Sequence, residues 1–378
     1  MIAAILKETI VGETRVAATP KTVLELINSG LSVQVESGAG HESFFSDKDY
    51  SDAGAHIKPD PQSTLVGANL ILKVVSPTFD EIELFPENSI FISLFQTTNE
   101  FEKVIKLKDK KITGFSMHLI PRTTLAQAMD ALSSQANIAG YKAVLVGASH
   151  LAVYMPLLMT AAGTIAPAKV LVIGAGVAGL QAIATANRLG AQVEAFDVRP
   201  EVKEQVESLG AKFIEVESNN TEGVGEGGYA KETSDDYKKQ QELKIKERAS
   251  KADLVITTAL IPGKPAPILI NENVVENMKR GSVIVDLASE NGGNCELTQK
   301  DEIINHKGVI IDGTSNFPAT MQAHASQLYA KNISSFIIHM MNEGEINLDL
   351  DDEIISGAMF THKGEITHQP TNELVSNS

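Results

Sequence analysis

The sequence predicts an α/β protein built of two Rossmann-like domains with mostly parallel sheets. Three observations carry this. Short apolar runs alternate with helical patterns along most of the chain, as in βαβ folds. A strand–glycine–helix–strand unit begins at Lys169. At 378 residues the chain exceeds what one hydrophobic core usually holds.

In order, Ala3–Leu6 and Ser32–Glu36 read as strands. Pro20 opens a helix that Gly30 closes, with Val23, Leu24, Leu26 and Ile27 on its inner face. Asn69–Val75, Ser89–Leu94 and Ile112–Phe115 continue the strand series. Residues 134–163 read as one long helical stretch without linker composition, expected to cross between domains. Strands then follow at 169–173, 192–196, 211–214, 253–258, 282–287 and 308–312. A helical run from Leu328 to Met341 comes after the second domain is complete, so it is expected to return to the first. The expected division is 1–133 plus 328–378, and 134–327, with a cofactor in the cleft between them.

Lys169–Leu180 holds Gly174, Gly176 and Gly179 at G-x-G-x-x-G spacing, and Ala195–Arg199 supplies a second apolar run ending in an acid. Gly174 permits the tight turn out of the strand, Gly176 removes a side chain where a pyrophosphate approaches, and Gly179 lets the helix pack close. The helix N-terminus offers free N–H groups and partial positive charge to phosphates. Asp197 falls where a carboxylate takes both ribose hydroxyls, which favours NAD(H) over NADP(H). Arg199 runs against that preference, since an arginine there accepts a phosphate. Ligands of open α/β sheets sit at the carboxyl ends of strands, which singles out the loops Thr257–Lys264, Ala288–Gly293 and Gly313–Pro318.

Composition narrows the rest. The net charge of −16 argues against nucleic acid or anionic lipid as a direct partner. One cysteine, Cys295, leaves no disulfide framework and points to a reducing compartment. Met1–Lys7 reaches charge too soon for a signal peptide. Leu151–Ala168 is uncharged, but Pro156, Gly163 and Pro167 make it a buried helix and loop, not a membrane span. The nine histidines form no metal signature, and His118 and His150 read as structural. Residues 217–251 form a glycine-rich insert followed by a charged helix, long for a connection. Gly227 and Gly228 would hinge a lid tipped by Tyr229.

Together these motifs resemble the NAD(H)-binding component (domain I, alpha subunit) of proton-translocating NAD(P) transhydrogenase, over nearly the whole chain. Alanine dehydrogenases share the fold. Lys7-Glu8, Gly12–Pro20 and Val35–Gly40 are similar to both groups, whereas Pro121–Asn137 resembles the transhydrogenase loop alone. The resemblance implies that Arg122 orients the NAD pyrophosphate and Gln127 lies near the nicotinamide. It implies that Asp130 and Ser133 fix the carboxamide, and that Tyr229 closes the lid. Cofactor contacts would come from Gly174, Ala175, Gly176, Val177, Ala178, Gly179, Asp197, Val198, Arg199, Gly228, Thr258, Ala259 and Leu260. It further implies a homodimer on the cytoplasmic face of a membrane. That homodimer would dock on a membrane-spanning subunit and on a partner domain holding NADP(H). Leu125 and Thr320 depart from arginines frequent in the family.

The alternative is an amino-acid dehydrogenase of the alanine or saccharopine type. Amino-acid oxidation moves protons on and off nitrogen and oxygen and needs a general acid/base. The histidine that alanine dehydrogenases use corresponds here to Leu94–Gln96, and their aspartate to Glu290. Arg15 and Lys73 match the positions that hold the keto acid. Hydride transfer between nicotinamides needs no acid or base, only two rings held face to face without water. A third reading, an NAD(H) sensor or scaffold, would need neither the Arg122–Asp130 loop nor the lid.

Overall fold

Contacts within the chain divide it into Met1–Gln135 with Ala319–Ser378, and Ala136–Pro318. The computed structural model describes residues 1–216, 235–261 and 264–377.

The first unit is an eight-stranded sheet. Its strands β1 (Ile2–Ile5), β2 (Ser32–Glu36), β3 (His56–Lys58), β4 (Leu70–Val75), β5 (Ile90–Leu94) and β6 (Thr113–Ser116) are parallel and lie in the order β3–β2–β1–β4–β5–β6. Met359–His362 adds antiparallel to β6 and Glu365–Ile366 completes the edge. The order reverses between β1 and β4, so their carboxyl ends frame a crevice. Helix α1 (Pro20–Asn28) starts with a capping box between Thr19 and Thr22, and Pro20 fills a first-turn position that needs no N–H.

The second unit is a seven-stranded sheet. Its strands are β7 (Lys169–Ile173), β8 (Gln192–Phe196), β9 (Lys212–Phe213), β10 (Leu254–Thr257), β11 (Val283–Asp286), β12 (Ile303–His306) and β13 (Val309–Asp312). Their order is β9–β8–β7–β10–β11–β13–β12, parallel except for β12. Strands β10 and β11 are buried at every position, as expected where helices cover both faces. The switch point lies between β7 and β10, immediately beyond the glycine motif.

Several expectations need correction. The long helix, α2, runs Ala131–His150 and stops there. Leu158–Thr160 and Gly163–Ile165 then form an exposed antiparallel hairpin instead of a buried helix. Pro156 removes a helix donor, Gly163 turns at φ 138°, and β-branched Thr160, Thr164 and Ile165 favour strand. On α1, Val23 and Leu26 are buried, but Leu24 is half exposed, a 100° step from the buried stripe. The C-terminal helix begins well before residue 328, as Gln322–Met340. Strand β12 was not anticipated; it follows from a tight hairpin whose turn has positive φ at Lys307 and Gly308. The charged helix of the insert, Asp235–Ala249, is anchored by buried Ile245 and Ala249, while 217–234, including Gly227, Gly228 and Tyr229, lie outside the described residues.

Candidate functional site

The turn after β7 separates the tasks of its three glycines. Gly174 has φ 98°, and a Cβ there would meet the Thr258 hydroxyl at 2.5 Å. A Cβ on Gly179 would lie 1.8 Å from the Gly174 carbonyl oxygen, so helix and turn are in backbone contact. A Cβ on Gly176 would meet nothing within 4 Å. Gly176 is also the N-cap of helix α3 (Val177–Arg188), and no side chain caps that end. The first-turn N–H groups of Val177 and Ala178 have no acceptor within the helix and no capping side chain, and an uncapped helix end of this kind binds phosphate.

Asp197 directly follows β8 and is buried. The Ala175 N–H donates to Oδ2 at 2.7 Å, which ties the acid to the glycine turn. Arg199 grips the other side: its backbone N–H and Nε donate to Oδ1, both at 2.9 Å, and Nη2 donates to Oδ2 at 2.8 Å. Asp197 and Arg199 are thus one unit, not opposed determinants as the sequence left them. Val198, between them, is half-buried.

Across the switch point, the Thr258 hydroxyl donates to the Gly174 carbonyl at 3.1 Å, joining the β10 loop to the turn. Asn294 holds that loop: its Oδ1 accepts from the Ala259 N–H, and its Nδ2 donates to the Ala259 and Pro267 carbonyls, each at 2.9 Å. Leu260 is exposed beyond it. Asp286, fully buried, accepts from Thr257 at the end of β10 and from Ala288, Asn294, Cys295 and Thr298 in the connection after β11, and so ties that connection to β10. Sequence reading missed both Asp286 and Asn294. The only local sign was an acid closing an otherwise apolar strand. Ser315 of the 313–318 loop is bound to Asp301, and Thr314 to Asp312, whose Oδ2 also meets His150 Nε2 at 3.1 Å. Glu290 is exposed. Among the described residues Glu272, Glu276 and His306 come within 4.8 Å of one another on the surface, a grouping that a helix and a hairpin create and no motif announced.

In the first unit, Gln127–Met129 forms a single 3₁₀ turn and Asp130 caps α2, accepting from the Ser133 N–H at 2.8 Å and the Ser133 hydroxyl at 2.6 Å. Arg122, Leu125 and Gln127 are exposed; Asp130 and Ser133 are half-buried. Four of the expected residues therefore lie on one short segment.

The crevice between β1 and β4 holds a buried charge cluster. Lys73, with no exposed surface, lies 2.6 Å from Glu81 and 3.4 Å from Glu8. Arg15 grips Glu13 through Nε at 2.8 Å and Nη2 at 2.6 Å, and its Nη1 donates to Gln135 at 2.9 Å. Gln96, within the Leu94–Gln96 stretch, accepts from Asn99. Burial, with the Arg15 charge adding, pushes His118 down to about 4, so it is neutral at pH 7. Burial pushes the Glu8 carboxyl up to about 7, against the opposing pull of Lys73.

Glu8 therefore binds its proton more tightly folded than unfolded. The stability this contributes is complete below the ordinary value of 4.5 and is lost as pH rises through about 7. Glu8→Gln removes that dependence. Wild type is expected to lose up to about 3 kcal/mol relative to Glu8→Gln between pH 4.5 and 7.5. His118, whose contribution runs the opposite way, cancels in this difference. Chemical denaturation of both proteins across that range checks it; a constant difference refutes it.

Two family models cover the chain: the alanine dehydrogenase/PNT N-terminal domain at residues 4–139 and the C-terminal domain at 143–369. An NAD(P) transhydrogenase alpha-subunit chain of Rhodospirillum rubrum is 46% identical over 373 residues, covering 97% of both chains. A crystal structure of transhydrogenase from Sinorhizobium meliloti superposes with a TM-score of 0.88 at 42% identity, over 97% of this chain and 100% of that one. A structure of L-alanine dehydrogenase superposes with a TM-score of 0.84 at 26% identity, over 100% and 99% of the two chains. The fold is shared by both branches, but identity is much higher on one side, and the chain belongs to the NAD(P) transhydrogenase alpha-subunit branch of the alanine dehydrogenase/PNT family.

Proposed function

We propose that this chain is the NAD(H)-binding component of a proton-translocating transhydrogenase, passing hydride between NADH and NADP⁺ held on a partner domain. The observation that carries it is the turn after β7, where Gly176 leaves open space over an uncapped helix end beside the Asp197 carboxylate. Those residues fit the pyrophosphate and adenosine ribose of NAD(H). When bound, the nicotinamide supplies or accepts the hydride.

The chain's own residues bind and orient. Val177 and Ala178 N–H groups meet the phosphates, Asp197 takes the ribose hydroxyls, and Thr258, Ala259 and Leu260 border the turn. Arg122 orients the pyrophosphate, Gln127 lies by the nicotinamide, and Asp130 and Ser133 fix the carboxamide. Transhydrogenation is favoured over amino-acid oxidation because Lys73 is engaged by Glu8 and Glu81, and Arg15 by Glu13 and Gln135. Neither cation is left to take a keto acid's carboxylate, and no titratable group stands in Leu94–Gln96 to move a proton.

No helix among the described residues is long and apolar enough to cross a membrane. The proton path is therefore assigned to a membrane-spanning partner, with this component peripheral on its cytoplasmic face and coupling conformational. A homodimer is supported by exposed apolar side chains at the hairpin and just before it, Tyr154, Leu157, Met159 and Ile165. Calorimetric titration of the isolated chain tests the nucleotide assignment: NADH is expected to bind at least about 10-fold tighter than NADPH, since a 2′-phosphate meets the Asp197 charge. Equal affinities would refute it.

A further inference from the structure

The buried Arg15–Glu13 pair does more than fill the crevice beyond β1. Arg15 Nη1 donates to Gln135 Oε1 at 2.9 Å, and Gln135 Nε2 donates to the Ala325 carbonyl of the C-terminal helix at 3.1 Å. Both ends of this amide are fixed, and Arg15 and Gln135 are each only 6% exposed. Gln135 stands on the first turns of α2, directly after the Asp130 cap and Ser133. A second tie comes from the same C-terminal helix, where Asn332 Nδ2 donates to the Ala128 carbonyl at 2.9 Å, inside the Gln127–Met129 turn. Exposed Gln127 thus stands directly before a stretch of backbone pinned at Ala128 and again at Gln135.

Burying a guanidinium and a carboxylate is a poor way to gain stability, because apolar side chains of equal volume do as well or better. What the pair supplies is direction. The Arg15 fork engages Glu13 on one edge and leaves Nη1 aimed at one acceptor, a geometry lysine does not reproduce.

We propose that Arg15 is a positioning residue for hydride transfer, acting through Gln135 to set the place of the 127–133 segment. This rests on the function proposed above, in which Gln127, Asp130 and Ser133 handle the nicotinamide. The Rossmann turn carries most of the nucleotide's binding, whereas transfer depends on placement within fractions of an ångström.

Gln135→Met keeps side-chain length and leaves the Arg15–Glu13 pair intact; Arg15→Lys keeps the buried charge but loses the fork. Two readouts are taken on each. In single-turnover transfer to a partner NADP(H)-binding domain, the rate is expected to fall about 10-fold or more, with the NADH Kd unchanged within about 2-fold. Amide exchange is expected to rise over residues 126–134 and not in β1, β4 or the Rossmann turn. Unchanged exchange in that segment, exchange raised throughout the first unit, or a local rise with an unchanged transfer rate would each overturn the proposal. Wild-type protein that transfers no hydride would overturn the functional reading instead, and the exchange pattern decides the positional linkage in either case.

Discussion

Gly179→Ala is expected to abolish measurable NADH binding and to lower the stability of the second unit, whereas Gly176→Ala is expected to weaken NADH binding in a protein that stays folded. The asymmetry follows from what each new methyl group meets. At position 179 it meets the Gly174 carbonyl oxygen at 1.8 Å, and backbone oxygen has no rotamer by which to retreat. Helix α3 must shift away from the turn, at the roughly 1–3 kcal/mol or more typical of overpacking. That shift also displaces the N–H groups of Val177 and Ala178. At position 176 the methyl group meets nothing within 4 Å, so the free protein accommodates it. It then occupies the space a pyrophosphate must enter, and affinity falls about 10- to 100-fold. Thermal denaturation and NADH titration of the two variants check both halves. Equal loss of stability in both would contradict the open space over Gly176, and unchanged NADH affinity in Gly176→Ala would mean that this space has no bearing on the nucleotide.

Asp197→Asn carries the second large effect. The carboxylate accepts the Ala175 N–H and three donors from Arg199, and the ribose hydroxyls would join the same two oxygens. Hydrogen bonds to a charged acceptor contribute about 1.5–3 kcal/mol, so losing the charge is expected to weaken NADH binding roughly 100-fold. NADPH should respond in the opposite sense. The repulsion of its 2′-phosphate disappears, and Arg199, released from Asp197, becomes a partner for that phosphate. Comparing NADH and NADPH affinities in wild type and variant measures both changes. A parallel fall in the two would mean that Asp197 holds the turn together and does not select the ribose.

What the sequence revealed and what it hid differ in range. The glycine turn was legible because each glycine answers a local backbone demand: a positive φ at Gly174, an empty side-chain position at Gly176 and a helix contact at Gly179. The Asp197–Arg199 pair was legible as two residues but not as one unit, because nothing in their spacing says which donors close on the carboxylate. The Glu8–Lys73–Glu81 cluster and the Arg15–Gln135 link join positions far apart in the chain, and only the reversal of strand order beside β1 brings them together. Asp286 was hidden because nothing in the sequence says that Thr257 of β10 and four groups of the connection after β11 turn toward its carboxylate. The end of α2 was misread for a different reason: uncharged, mostly apolar residues continue past His150, and the first breaker, Pro156, comes only six residues after the helix has stopped.

The catalytic reading turns on partnership. This chain is proposed to hold one nucleotide and to contribute no acid or base, so it should do nothing to NADH alone. The most direct test is stopped-flow absorbance with an NADP⁺ analogue of shifted spectrum, mixing NADH-loaded chain with the NADP(H)-binding domain of a transhydrogenase. Fast hydride transfer that vanishes when either protein is omitted is the predicted result. No transfer, together with NADH oxidation by the chain alone in pyruvate and ammonium, would contradict it and assign the chain to amino-acid oxidation.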